Sequence, residues 1–293
     1  MRGNTPFRRW KKEATVVIAL VAILLCFATV THAQQSPAAP TTQGDAEELA
    51  KKLANPISDL VSVPFQFNWE QNVGPNEGTR FILNVQPVMP FALNKDWNLI
   101  ARVIVPFVGQ PALVEGGNPA SGISDVLASF FFSPSRPGLI WGVGPAISLP
   151  STGVATLGTE KWSAGPTVVV LKQSGRMTYG ALWNQVWSFS GNTQRADVSQ
   201  MFLQPFFAYQ ATRTLTVTLQ SESTANWEVE EDRWAVPINL IFSKLSSFGV
   251  FPASYQLGVG GFAAHPEVGP SWKIRGAIVV FSASAAVASG VAM

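Results

Sequence analysis

Apolar and polar residues alternate along much of this chain, and the alternation is clearest in residues 63–70, which read VPFQFNWE. A β-strand has this period of two because successive side chains point to opposite faces of the sheet. One face of the predicted strands is bulky and aromatic, while the other carries Gln, Asn, Glu and Arg. The pattern fits either a soluble sheet with one wet face or a membrane barrel whose polar face lines the interior.

The alternation predicts twelve strands between residues 62 and 281. Most have 9 to 13 residues, close to the roughly 9–11 that a tilted strand needs to cross a bilayer. The predicted strands are residues 62–71, 79–89, 96–108, 122–133, 139–149, 161–171, 177–189, 198–210, 214–223, 233–244, 254–262 and 271–281. Prolines lie inside several of them, among them Pro87, Pro106, Pro145, Pro166, Pro205 and Pro237. Because each removes a ladder donor, they indicate bulges, strand ends near the rim or a gap in the wall.

The connections between the predicted strands alternate in length. Every other connection, starting with the first, is long: 72–78, 109–121, 150–160, 190–197, 224–232 and 263–270. The intervening connections are mostly short: 90–95, 134–138, 172–176 and 211–213, with 245–253 as the exception. Outer-membrane barrels have long extracellular loops and short periplasmic turns, whereas a soluble sandwich has no reason to sort its loops in this way. The connections therefore favour a membrane barrel.

Residues 1–33 have the organisation of a secretory signal peptide. Five basic residues precede an apolar run of 17 residues, and Thr31-His32-Ala33 forms a small-residue cleavage site. A permanent transmembrane anchor is the alternative, but the run is at the short limit for a spanning helix. Cleavage would remove the only cysteine, Cys26, and with it any disulfide or thiolate chemistry. It would also leave 15 Lys and Arg against 17 Asp and Glu, which gives no reason to expect nucleic-acid binding.

The exported chain is predicted to have three parts: a linker and short helix at 34–61, the barrel at 62–281 and a C-terminal tail at 282–293. The helix is expected over residues 45–60, with a kink at Pro56. It is either a periplasmic linker helix, which we prefer, or a small plug. Charged residues are only 13 % of the chain, against about a quarter in soluble domains, which is consistent with a membrane location.

Strand parity assigns a set of polar and charged side chains to the barrel interior. An Arg or Lys that faced lipid at the midplane would cost about 2–4 kcal/mol, so an inward orientation is favoured. In a pore these charges would set a transverse field and attract anionic or phenolic solutes; alternatively, they pair and hold a packed interior shut. The same face carries Ile82, Ile100 and Ile104, which suit hydrophobic solutes. The predicted lumen-lining residues are Gln66, Asn68, Glu70, Arg80, Asn84, Gln86, Asn98, Arg102, Glu222, Arg233, Lys273 and Arg275.

The chain offers little that suggests an enzyme. After residue 33 the one histidine is His265, on a predicted outer loop, and neither Ser254 nor Ser271 has a nucleophile-elbow context. No metal-ligand spacing is apparent, and the acidic residues of 228–232 fit a solvated loop better than a cation site. We therefore expect no catalytic residue, no cofactor and no bound metal.

An ordered series of segments resembles a known family. The segments are FQFNWEQN (65–72), NVQPVMPF (84–91), DWNLIAR (96–102), FFSP (131–134), IWGVGP (140–145), LGTEKW (157–162), YGALWNQ (179–185), FLQPF (202–206), SESTANW (221–227) and WAVPINL (234–240). Together they are similar to the bacterial family of outer-membrane transporters named for the meta-pathway of phenol degradation, often labelled "neuromedin U". The resemblance spans residues 45–281. Relatives tend to end on an aromatic residue that serves barrel assembly; Phe281 takes that place here, but twelve residues follow it.

The resemblance implies an outer-membrane barrel that helps to move small, often aromatic, compounds. Combined with the residue pattern, it predicts an all-β protein, a transmembrane antiparallel barrel of about twelve strands with a short N-terminal helix. The expected function is passive passage of small hydrophobic or aromatic solutes. The expected partners are outer-membrane lipid, the solute and the barrel-assembly machinery. A structural or interaction barrel with a closed lumen is the alternative, and a membrane-embedded hydrolase is a more distant one.

Overall fold

A computed structural model describes residues 43–248 and 251–282. The expected signal peptide, the linker up to residue 42 and the tail beyond residue 282 lie outside these ranges. One α-helix, α1 (Gln43–Leu53), and a 3-10 turn (Ala155–Leu157) accompany the strands in the described part of the chain. The strand segments there are β1 (Val61–Val73), β2 (Gly78–Val85), β3 (Val88–Ala92), β4 (Trp97–Gln110), β5 (Ala120–Ile123), β6 (Val126–Pro134), β7 (Leu139–Leu149), β8 (Lys161–Ser174), β9 (Met177–Gly191), β10 (Ser199–Gln210), β11 (Leu215–Ser221), β12 (Ser223–Asn226), β13 (Trp234–Phe248), β14 (Phe251–Ala264) and β15 (Trp272–Ser282).

These segments form a closed, twelve-stranded antiparallel barrel. Three strands are interrupted, so that β2 with β3, β5 with β6, and β11 with β12 each make one strand in two halves. Each strand pairs with its neighbours in sequence, and β15 pairs with β1 over Val61–Gln71 to close the sheet. The predicted fold class and strand number are confirmed, because the period-two pattern survives the interruptions.

Proline explains where the ladder is interrupted. The missing pairs fall beside the in-strand prolines: Pro87, Pro106, Pro145, Pro166, Pro205 and Pro237. A proline cannot donate to the ladder, and here the facing residues are also released from pairing. The break at Glu222 is the clearest case, because Pro237 on β13 lies opposite Glu222 and Pro205 on β10 lies opposite the adjacent Ser221.

The outer face of the barrel is apolar. Residues that pair directly share a face, and the outward rows hold exposed side chains such as Leu219 (51 %), Leu257 (66 %) and Trp187 (49 %). A contiguous exposed apolar surface of this extent is rare on soluble monomers. Aromatic pairs lie on this face as well, including Trp97 edge-on to Trp141 with centroids 5.9 Å apart. The helix α1 is shorter than a membrane span, and no described helix is long and apolar enough to cross a bilayer.

The two ends of the barrel differ. At one end, called here the long-loop end, the connections are 111–119, 150–160, 192–198, 227–233 and 265–271, together with a tight four-residue loop at 74–77. At the other, the short-turn end, the connections are 93–96, 135–138, 175–176 and 211–214. The expected long connection at 245–253 is largely strand, since β13 runs to Phe248 and β14 starts at Phe251. The first connection is also shorter than expected, because β1 and β2 extend beyond their predicted ends.

The helix α1 is displaced from its expected bounds, because it ends at Leu53 while residues 54–60 form turns that lead into β1. Pro56 lies in this turn region and excludes helix there. The helix and the turns that follow it lie within the barrel. Gln173 Nε2 on β8 donates to the Lys51 carbonyl at 2.8 Å, and Gln210 Nε2 on β10 donates to the Glu47 carbonyl at 3.2 Å. Both glutamines are on inward rows, so α1 sits in the barrel mouth at the short-turn end.

Candidate functional site in the barrel lumen

The lumen holds two clusters of paired charges. Arg80 donates to Glu70 Oε2 from both Nε, at 2.7 Å, and Nη2, at 2.6 Å, which links β2 to β1. Glu222 receives two hydrogen bonds from Arg275, one of them from Nη1 at 2.9 Å, and lies 3.5 Å from Lys273 Nζ. Lys273 and Arg275 are on β15, while Glu222 lies between β11 and β12. This second cluster therefore crosses the lumen rather than joining adjacent strands.

A row of amides extends the charge clusters around the wall. Asn68 Oδ1 accepts from Arg275 Nε at 2.9 Å and from Gln66 Nε2 at 3.4 Å. Gln86 Nε2 donates to Gln66 Oε1 at 3.2 Å, and Gln86 Oε1 accepts from Arg102 Nη2 at 2.7 Å. We call the two charge clusters and these amides the polar belt; its members are Gln66, Asn68, Glu70, Arg80, Gln86, Arg102, Glu222, Lys273 and Arg275. The belt reaches from β4 to the break between β11 and β12.

Two members of the belt come from strand interruptions. Gln86 precedes Pro87 at the break between β2 and β3, and Glu222 is the single residue between β11 and β12. At these breaks a neighbouring strand still forms backbone hydrogen bonds, but outside the regular ladder. For example, the Val103 N–H donates to the Pro87 carbonyl at 3.0 Å. A break lets the chain bend locally. The prolines thus place a carboxylate and an amide in the lumen at the height of the arginines.

The chain between α1 and β1 occupies the lumen on the short-turn side of the belt. Ile57 is buried against Phe131 on β6, Val169 on β8 and Leu182 on β9, and Leu60 packs with a second cluster that includes Phe281 on β15. The two clusters lie on opposite sides of the barrel. We call α1 and residues 54–60 the plug. Its apolar contacts bury side chains such as Ile57 (4 % exposed), and each such burial contributes about 1.5–3 kcal/mol.

A cavity of about 200 Å³ lies between the plug and the polar belt. Its lining is polar towards the belt, where Gln86, Arg102 and Glu222 contribute, and apolar towards the plug, where Leu53 and Val279 contribute. Hydroxyl groups from β11, β13 and β14 complete the wall. The lumen can therefore hold a small molecule with one polar and one apolar end.

All but one of the predicted lumen residues lie on inward rows. Two of these inward residues are not members of the belt. Asn84 is paired with Gln66 on β1, and Asn98 is paired with Ser133 on β6, nearer the short-turn end. The isoleucines at 82, 100 and 104 are on the same rows. Ile100 belongs to the cluster around Ile57, so it contacts the plug side of the lumen.

Arg233 is the exception and requires a correction. It precedes β13, and its backbone carbonyl accepts from Asn226 N–H at 2.9 Å at the base of the 227–233 loop. Its guanidinium stacks 5.8 Å from the centroid of Trp227 and donates to the Glu230 carbonyl. The aromatic ring and the loop carbonyl hold this side chain at the rim, although its parity matches the inward row of β13.

Two glutamines contribute to the belt and were missing from the predicted set. Gln220 Nε2 donates to Glu222 Oε1 at 3.1 Å, and Gln204 Nε2 donates to Gln220 Oε1 at 3.3 Å. The alternation of Gln220 with Leu219 indicated its inward orientation. Gln204 precedes Pro205, and its role depends on the Glu222 break in the next strand, which sequence did not show.

The described contacts at the long-loop end include an ion pair and the contact of the one histidine after residue 33. Lys161 Nζ donates to Asp197 at 2.7 Å, and this hydrogen bond lowers the pKa of the carboxyl below its usual value. His265 lies 2.8 Å from the carbonyl of the adjacent Pro266 through Nδ1. Over residues 43–248 and 251–282, no group of three His, Cys, Asp or Glu side chains is arranged to hold a metal ion.

Comparisons with known proteins support the fold. No protein-family model matches the sequence, and no curated protein matches it. Among solved structures, an outer-membrane channel from Pseudomonas putida F1 is similar, with a TM-score of 0.56 at 14 % identity over 76 % of this chain and 94 % of that one. The NanC porin is similar with a TM-score of 0.50 at 9 % identity, over 76 % of this chain and 98 % of that one. At these identities the likeness establishes the barrel fold alone.

Proposed function

We propose that this protein is an outer-membrane channel for the passive passage of small hydrophobic or aromatic solutes. The observation that carries the proposal is the cavity between plug and belt, because it is a solute-sized space inside a closed wall. Its lining combines hydrogen-bonding groups with apolar side chains, as ligand sites for small organic molecules do. The two similar structures described as a channel and a porin agree with this function.

The outer-membrane location rests on the apolar outer face and on the expected export of the chain. Exposed Trp, Phe and Leu side chains around the wall suit lipid contact, and tryptophans such as Trp97 and Trp272 lie at strand ends, where interfacial girdles occur. In this orientation the long-loop end faces outward and the plug faces the periplasm. Phe281, on the last strand, is the proposed signal for the barrel-assembly machinery.

The finer assignment is to the phenol meta-pathway family of transporters, which the ordered sequence segments resemble. It would make aromatic growth substrates the natural solutes. The inward isoleucines Ile82 and Ile104 support a solute with a hydrophobic part, because they line the wall between the belt residues.

The test is conductance and uptake. Purified protein in a planar bilayer is expected to give discrete conductance steps, and a deletion strain is expected to grow more slowly on aromatic carbon sources at low concentration. Re-expression of the gene should restore growth. Absence of both conductance and a growth defect would contradict the channel.

A barrel with a closed lumen is the second candidate. The observation that favours it is the ion-paired belt together with the plug, since both cross the lumen. A closed barrel would give no conductance and no uptake defect, yet its deletion would change the integrity or protein content of the outer membrane. Replacing His265 by Ala tests the hydrolase alternative. Because we expect no catalytic role for His265, this substitution should leave the phenotype unchanged.

A further inference from the structure

Arg102 differs from the other charged members of the polar belt. Glu70 pairs with Arg80, and Glu222 pairs with both Lys273 and Arg275. Arg102 donates from Nη2 to the neutral amide of Gln86 and forms no ion pair with any carboxylate that the structure describes. Four cationic side chains thus face two anionic ones within the belt. Among these four cations, Arg102 is the one without a direct ion pair to a described carboxylate.

The environment of Arg102 favours an anion as its missing partner. Removing a guanidinium from water is costly unless a charge or hydrogen-bond acceptor replaces the lost hydration. Its planar fork matches a carboxylate in a bidentate arrangement, and hydrogen bonds between charged groups are stronger than those between neutral ones. Only one of its nitrogens donates to a described protein acceptor, so other N–H groups are available to a ligand.

The cavity beside Arg102 limits the size and shape of that ligand. Its volume is about 200 Å³, and a cavity of about 150 Å³ holds one benzene ring. Arg102, Gln86 and Glu222 lie at its polar end, and Phe206, Ile241 and Val279 are among the apolar residues that line it. A molecule with a carboxylate at one end and a single ring or short alkyl chain at the other would satisfy both ends.

We infer that the cavity is a binding site for small carboxylates that carry one hydrophobic group, with Arg102 holding the carboxylate. Gln86 fixes the guanidinium through its side-chain oxygen, and the plug residues cover the hydrophobic group of the ligand. This inference rests on the proposed channel function and names the solute class that the channel would accept. A neutral molecule of the same shape would leave Arg102 without a counter-charge.

The test compares benzoate with benzamide, a neutral molecule of the same size, by titration calorimetry on the purified full-length chain in detergent. Wild-type protein is expected to bind benzoate at least about tenfold more tightly, the size of one charge-assisted hydrogen bond. Arg102→Gln should remove this preference, and Arg102→Lys should keep part of it. Arg176→Gln removes one positive charge from an exposed turn at the short-turn end and should leave the preference unchanged.

Equal affinity of wild-type protein for benzoate and benzamide would overturn the inference, and so would a preference that persists in folded Arg102→Gln protein. Heat-modifiable mobility in gels establishes that the variant is folded. If it does not fold, the ratio of the two affinities for the wild-type protein decides the question alone. Benzoate binding without conductance would contradict the channel function but not the carboxylate site. Conductance without a preference for benzoate would contradict the carboxylate site but not the channel function.

Discussion

Glu222 accepts hydrogen bonds from Arg275 and Gln220 and forms an ion pair with Lys273. Of the carboxylates described in the lumen, it has the most polar partners. Its two cationic partners are almost fully buried, with Lys273 4 % and Arg275 3 % exposed. Buried charges are tolerated when each is paired. The break between β11 and β12 is what permits one carboxylate to reach both cations across the lumen.

Replacing Glu222 by Gln should destabilise the barrel by about 3 kcal/mol, because two buried cations would lose their shared counter-charge. The measurement is urea-induced unfolding in detergent, followed by heat-modifiable mobility and tryptophan fluorescence. Glu228→Gln, in the exposed 227–233 loop, is the matched control and should change stability by less than about 0.5 kcal/mol. Equal effects of the two substitutions would show that the belt does not depend on Glu222.

At the scale of elements, the strands were predictable and their partners across the lumen were not. The strands and their inward rows could be predicted because the alternation of polar and apolar residues is a local property of the chain. In β1, for example, Gln66, Asn68 and Glu70 alternate with Phe67 and Trp69. The contact of Arg275 with Glu222 joins residues 53 positions apart and depends on how strands curve round to face each other.

The prolines and the plug also show that sequence patterns predict elements but not the contacts between them. The sequence located these in-strand prolines. That Pro205 and Pro237, on two different strands, lie on either side of the break at Glu222 follows only from the register of the strands. The helix α1 was predicted from its own pattern, although with a wrong C-terminal end. The apolar face of a helix indicates that the helix packs against another surface, but it does not identify that surface. The interpretation of α1 as a linker helix therefore did not anticipate its contacts with the inward residues Gln173 and Gln210.

Removing the plug should enlarge the path through the barrel. Deletion of residues 43–60 withdraws a helix about 10 Å in diameter from the short-turn mouth, while the ladder from β1 to β15 stays closed. We expect single-channel conductance to rise severalfold. Glu48→Gln, which alters an exposed side chain of α1 without removing the helix, is the control and should behave as wild type. Unchanged conductance after the deletion would mean that the belt, not the plug, limits flow.

For the whole molecule, the two faces of one sheet have opposite chemistry. The inward rows carry the ion pairs and amides of the belt together with the apolar residues that contact the plug, and the outward rows carry exposed apolar side chains. The same alternation along a strand therefore defines both the lumen and the surface that would contact lipid.

An arginine on the outward face should cost stability in proportion to its depth in the bilayer. Leu219 lies in the middle of the interrupted β11–β12 strand, and Met177 begins β9 beside the short-turn end; both face outward. In lipid bilayers, Leu219→Arg should lower the free energy of unfolding by about 2–4 kcal/mol and Met177→Arg by at most about 1 kcal/mol. The measurement is reversible folding into liposomes across a denaturant series. Because both substitutions introduce the same side chain at exposed outward positions, their difference reports depth alone. Equal costs would contradict a membrane-spanning orientation with Leu219 near the midplane.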